Sequence, residues 1–144
     1  MLIAYDMKEN VMRKSRREKS IIREIIANVE ELNISDKYKN IIYDFFSSTM
    51  RLKSPIPLLC LIDDNVVINW VCGSASIEVE FNDTGEWYMR GKNSQGKEYT
   101  SKNYHTIVEE TSLLLREMED TLEKNNPHWQ EEYLESIQQV SRIL

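Results

Sequence analysis

A chain of 144 residues with 41% apolar and 29% charged residues has the size and balance of one soluble globular domain, which argues against disorder. No apolar run approaches the ~20 residues that a membrane-spanning helix requires. The opening Met1-Leu2-Ile3-Ala4-Tyr5 is too short for a signal-peptide core and lacks a basic segment before it, so a cytoplasmic location is expected. The net charge of −6 is unevenly spread: residues 8–23 hold seven basic side chains against Glu9 and Glu18, whereas His105 to Leu144 holds nine acids against Arg116, Lys124 and Arg142. Such a basic head on an acidic body either steers a partner or folds back on the chain's own acidic helices.

Met1 to Asp6 reads either as a short added strand or as a frayed end. The next element is a helix over about 9–32. Its second half is amphipathic, with Ile22, Ile25, Ile26, Val29 and Leu32 on one stripe. Ser15 and Glu18 break that stripe in the first half, so Arg13 to Lys19 is expected to project as a solvated basic turn or two. Ser35 followed by Asp36 marks a second helix over about 36–52, with Tyr38, Ile42, Phe45, Phe46 and Thr49 on its apolar face. Pro55 and Pro57 end it and lead into an edge strand.

The stretch from Pro55 to Met89 predicts an antiparallel meander, with strands about 57–62, 66–72, 75–81 and 86–90 and a short fifth near Lys97 to Thr100. Turn chemistry sits at Asp63-Asp64-Asn65, Gly73-Ser74 and Asp83-Thr84-Gly85. A first hairpin pivoting on Asp64 sets Leu58 opposite Trp70, Cys60 opposite Ile68 and Ile62 opposite Val66. A second, pivoting between Gly73 and Ser74, pairs Trp70 with Ile77, Ile68 with Val79 and Val66 with Phe81. A turn centred on Thr84 returns Trp87 and Met89 to the same core face. Leu59, Leu61, Val67 and Val71 then fall on the other face, where coverage by a helix is favoured over an open interface for a partner or a second copy. In this register Cys60 and Cys72 are not cross-strand neighbours and read as free, largely buried thiols.

Thr106 and Glu109 have the spacing of a capping box before a helix over about 104–123, whose stripe is Val108, Thr111, Leu115, Met118 and Leu122, widened by Ile107 and Leu114. Asn126-Pro127 opens a last helix over about 127–143, lined by Trp129, Tyr133, Ile137, Val140 and Leu144. The fold class is α+β: one domain over 1–144, an antiparallel meander of four to five strands packed by N- and C-terminal helices. No internal repeat is evident.

Chemistry-bearing patterns are sparse. Only His105 and His128 are available as neutral-pH bases, and each sits at a helix start, more often a surface or capping position. Four Cys and His residues in all, without metal-ligand spacing, do not predict a metal site, and no cofactor fingerprint is present. Glu78 and Glu80 share a sheet face and read as a solvated strand face rather than a catalytic pair. The sharpest candidate is the basic run Arg13, Lys14, Arg16, Arg17 and Lys19, which fits docking to a partner protein or tracking of nucleic-acid phosphates; without interleaved aromatics, a solvated or internally paired helix stays open as well.

At the strand block the chain resembles a pattern of small bacterial, prophage and mobile-element proteins with no shared catalytic motif. The resemblance rests on Pro55-Ile56-Pro57, the Asp63-Asp64-Asn65 turn, Val66 to Asn69 ending in Trp70, Gly73, and the Ile77-Val79-Phe81 alternation. It spans about residues 36–122 and departs from the pattern in having Asp-Asn where Asp-Gly is usual. It implies the kinds of role found in that company: inhibitor of a host defence protein, immunity protein or antitoxin. The expectation is therefore a non-enzymatic macromolecular-interaction protein with a protein partner. A nucleic-acid-associated regulator using the basic head is the alternative, and a homodimer stays open.

Overall fold

A computed structural model describes residues 16–143, and side chains over 21–136. The chain runs α1 (Arg16–Glu30), α2 (Asp36–Thr49), β1 (Leu58–Ile62), β2 (Asn65–Cys72), β3 (Ala75–Phe81), β4 (Trp87–Lys92), β5 (Glu98–Ser101), α3 (Tyr104–Asn125) and α4 (Trp129–Ile143). The five strands form an antiparallel meander in sequence order, with helices before and after it, so the α+β expectation holds. Residues 9–15 of the expected first helix, with Arg13 and Lys14, lie outside the described residues, as does the question of a strand at Met1 to Asp6.

Local chemistry explains the helix limits. Ser35 adopts extended backbone and its side chain accepts from the Tyr38 N–H, the N-cap read from the sequence. The helix stops at Thr49, earlier than residue 52, because Met50 leaves helical geometry while its N–H still donates to the Phe46 carbonyl. The cap of α3 is Asn103 rather than the Thr106–Glu109 box. Its Oδ1 accepts from the Thr106 N–H at 3.0 Å, and Glu109 pairs with His105 instead. Asn126 ends α3, and its Oδ1 accepts from the His128 N–H, which leaves Pro127 in the connecting turn, with α4 starting at Trp129.

The central registers are those expected. Val66 faces Phe81, Ile68 faces Val79 and Trp70 faces Ile77; Val79 faces Met89 and Phe81 faces Trp87. These residues make the inward face, and Phe81 and Trp87 stack across the strands with ring centroids 4.7 Å apart. The β3–β4 and β4–β5 hairpins use the same turn twice. Asn82 Oδ1 accepts from the N–H groups of Thr84 and Glu86, and Asn93 Oδ1 from those of Gln95 and Lys97. Gly85 and Gly96 close the two turns at φ 83° and 86°, which a side chain would oppose.

The first hairpin departs from its expected register by one residue. Asp63 and Asp64 both take positive φ, 51° and 68°, forming a two-residue turn of the primed type. Leu59 consequently faces Ile68 and Leu61 faces Val66, while Cys60 faces Val67 and Leu58 faces Asn69. Leu59 and Leu61 point inward, and Leu58, Cys60 and Ile62 point outward.

The main hydrophobic cluster gathers on the inward side. Phe45 and Phe46 of α2 sit against Trp70, and Phe45 also meets Trp87 and Tyr104. Beside α2, α3 brings Ile107, Leu114, Leu115 and Met118 into the same cluster. Ile21, Ile25 and Val29 of α1 join that core, and α1 packs against α2 and α4.

Candidate functional site

With the described helices on one side, the outward face of the sheet carries four of the five exposed large apolar side chains among the described residues, the fifth being Leu113 of α3. Leu58, Ile62, Val71 and Tyr88 belong to it, with Leu58 68% and Val71 67% exposed. No described helix covers this face; whether residues 1–15 cover it, as the expected covering helix would require, lies outside the described residues. The membership of the face changes, because the one-residue register shift sends Leu59 and Leu61 inward. Val67 remains outward but is buried.

Two cross-strand rows cross this face. One runs Leu58, Asn69, Glu78, Arg90 and Thr100; the next runs Val71, Ser76, Lys92 and Glu98. Between them the twisted sheet forms a groove of about 560 Å³. Arg90 Nη2 lies 3.2 Å from Glu78 Oε2, and Lys92 stands opposite Glu98, so the groove holds both charge signs in equal number. A charge-balanced groove lacks the positive field that a phosphate backbone demands. Glu80 lies in the neighbouring row between Val67 and Tyr88, and Glu78 is engaged by Arg90, which is the geometry of a solvated, salt-bridged strand face.

The other residues singled out from sequence are scattered. His105 Nε2 sits 2.9 Å from Glu109 Oε1 and His128 Nδ1 2.9 Å from Glu131 Oε2, both exposed at helix starts. Cys60 is exposed, contrary to the expected buried thiol, because its strand register turns it outward. Cys72 is half-buried; burial, and then nearby Glu117, push its thiol pKa up and hold it protonated, the opposite of an activated nucleophile. Both cysteines are free. Of the basic run, Arg16, Arg17 and Lys19 fall in the first turns of α1, and their side chains lie outside the described residues, as do Arg13 and Lys14 entirely.

Sequence reasoning missed a polar clamp on the far side of the core. Arg116 of α3 reaches the Thr49 carbonyl with Nη2, and its Nε lies 3.0 Å from Glu119 Oε2. Ser54 Oγ donates to the same carboxylate at 3.1 Å and accepts from the Arg51 N–H. Gln130 Nε2 of α4 donates to the Leu52 carbonyl at 2.7 Å. Burial lowers the Arg116 pKa below its ordinary value; the attraction of Glu119 opposes that shift and the nearby Arg51 adds to it. The clamp ties the α2–β1 connector to both C-terminal helices, and Trp70 Nε1 completes the hold by donating to the Pro55 carbonyl.

Among the described residues no helix is long and apolar enough to cross a membrane, and no cluster of three or more His, Cys, Asp or Glu side chains is placed to hold a metal. No family model, curated protein or solved structure matches the chain.

Proposed function

We propose that the chain is a macromolecular-interaction protein that docks a protein partner on the outward face of its sheet. The observation that carries this reading is the combination on one face of exposed Leu58, Ile62 and Val71 with the groove bounded by Glu78, Arg90, Lys92 and Glu98. Apolar contacts with a rim of both charges suit a protein surface that offers apolar side chains flanked by complementary charges. An inhibitor, an immunity protein or an antitoxin works in this way, by occluding a target without chemistry of its own.

The second reading, a nucleic-acid-associated regulator, rests on Arg13, Lys14, Arg16, Arg17 and Lys19 and draws nothing from the balanced groove. Affinity capture from a lysate of the source cells, quantified for three versions of the chain, separates the two. The sheet-face reading expects partners to be lost with Val71→Asp and Arg90→Glu but retained when Arg13, Arg16 and Arg17 become Glu. Loss with the arginine variant alone, and release by nuclease, would transfer function to the basic head. Because Val71 and Arg90 are exposed, both sheet variants keep the fold.

A further inference from the structure

Strand β1 is Leu-Leu-Cys-Leu-Ile, without a polar residue, yet not one of its five side chains is buried. It forms one edge of the sheet, bonded only to β2 among the described strands. Edge strands are ordinarily protected by charge, proline, a bulge or brevity. The opposite edge obeys that rule: β5 has four residues, starts with Glu98 and follows Lys97. β1 carries none of these devices within its span, so among the described residues its outer N–H and C=O groups meet no further strand and its apolar side chains are left as an unfinished surface.

We propose that β1 pairs antiparallel with β1 of a second copy about a two-fold axis through Cys60, joining the two meanders into one continuous sheet. The occupant is argued from the strand's own symmetry. Reading outward from Cys60, Leu59 answers Leu61 and Leu58 answers Ile62, so an antiparallel copy meets matched apolar groups on both faces. The backbone agrees. A two-residue turn closes on a hydrogen-bonded Ile62–Asn65 pair, and the antiparallel alternation then directs the groups of Ile62, Cys60 and Leu58 toward β2. Those of Leu59 and Leu61 face the open edge. With Leu59 set against Leu61 of the second copy, both pairs exchange N–H and C=O groups, and half-exposed Leu59 and Leu61 are covered on the inward side. Cys60 then faces its own counterpart as a non-hydrogen-bonded pair, with Cα atoms about 4.5 Å apart. Pro57, which has no N–H, stops the ladder at the strand's start. With only one bare edge per copy among the described strands, the assembly closes as a dimer rather than a fibre.

The test uses the unaltered full-length chain first. Sedimentation or light scattering across micromolar concentrations is expected to give twice the chain mass, and a short bismaleimide to convert the dimer to a covalent species. Cys72→Ser retains the cross-link and Cys60→Ser loses it. Cys60→Lys places two ammonium groups face to face at the axis and is expected to halve the mass while the circular dichroism stays unchanged, Cys60 being exposed in the monomer, and to lower Tm only by what dimerisation had added. If that variant fails to fold, the cross-linking pattern of the native cysteine still decides. A monomeric unaltered chain, a dimer unmoved by Cys60→Lys, or a cross-link that survives Cys60→Ser overturns the proposal. So does a monomer that dimerises only after residues 1–15 are removed, since the chain's own N-terminus would then be the occupant.

Discussion

Leu114 fills the space that Gly91 leaves: its Cδ1 lies 2.7 Å from where a Cβ on that glycine would stand, and Met89 Cε lies 2.9 Å from the same point. Gly91 belongs to the inward row between Ile77 and Tyr99, so the missing side chain lets α3 approach the sheet. Gly91→Val therefore overpacks the α3–sheet contact and is expected to destabilise by about 1–3 kcal/mol, read from the denaturant midpoint at unchanged m. In a Leu114→Ala background the same change is expected to be milder, because the cavity receives the new methyl groups. Additive effects in that double-mutant cycle would show that the two residues do not share this space.

The Asp63–Asp64 turn makes a second prediction. Both residues sit in the left-handed region, which L side chains other than Asn and Asp avoid, and Asp-Asp also sets two carboxylates side by side. Asp64→Gly relieves the backbone without altering the two-residue loop. It is expected to raise stability by about 0.5–1 kcal/mol and to keep Leu59 opposite Ile68, seen as the cross-strand contact between these residues in an NMR spectrum. A shift of Cys60 to that position would mean that the loop length, not the turn type, had been misassigned.

This hairpin also marks where the fold stopped being readable. β3 alternates large apolar residues with Ser76, Glu78 and Glu80, and the turns that join it to β2 and β4 set Trp70 and Trp87 on the same face, so a slip of one residue would have exposed Trp70, Ile77 or Phe81, and their registers were legible. In β1 both alternating sets, Leu58-Cys60-Ile62 and Leu59-Leu61, are apolar, and the pattern does not distinguish the two phases. Only the turn conformation does. The candidate face was legible in part, since Glu78 and Glu80 on one side follow from β3 alone. The Arg90 partner and the Lys92–Glu98 pairing required the registers of β4 and β5. That this face is left bare by the described helices required knowing that those helices lie on the other side. The Arg116 clamp was invisible because Thr49 and Arg116 are 67 residues apart and no local periodicity links them.

Tyr43 and Glu30 supply a pH prediction. The Tyr43 hydroxyl, buried between α1 and α2, donates to Glu30 Oε1 at 2.8 Å. Burial first, then the hydrogen bond to that carboxylate, raise the phenol's pKa above its ordinary value of 10.0. Because the folded state holds this proton more tightly than the unfolded chain, the stabilisation is complete below pH 10 and is lost as pH rises from there toward the folded value. Tyr38, Tyr104 and Tyr133 shift in the same direction and add to the alkaline slope. Tyr43→Phe is expected to cost about 1 kcal/mol at neutral pH and to flatten, without abolishing, the fall of Tm above pH 10. An alkaline limb identical to that of the parent would remove Tyr43 from this account.

Arg116 makes the sharpest stability prediction, because its partners are left stranded when it goes. The guanidinium serves the Thr49 carbonyl at the end of α2 and the Glu119 carboxylate together, and both side chains of the Arg116–Glu119 pair are largely withdrawn from water. Arg116→Ala would leave an unpaired, mostly buried carboxylate and an end-of-helix carbonyl without its donor, with an expected loss of about 2–4 kcal/mol. Arg116→Lys keeps the charge but not the two-directional fork, so it is expected to recover only part of that loss. The double variant Arg116→Met with Glu119→Leu removes both charges while conserving volume, and should be more stable than Arg116→Ala alone. Thermal denaturation of the four proteins at one salt concentration checks the order. If Arg116→Ala matches the parent, the contact with Thr49 does not hold the α2–β1 connector, and Gln130 with Ser54 must hold it without help from the guanidinium.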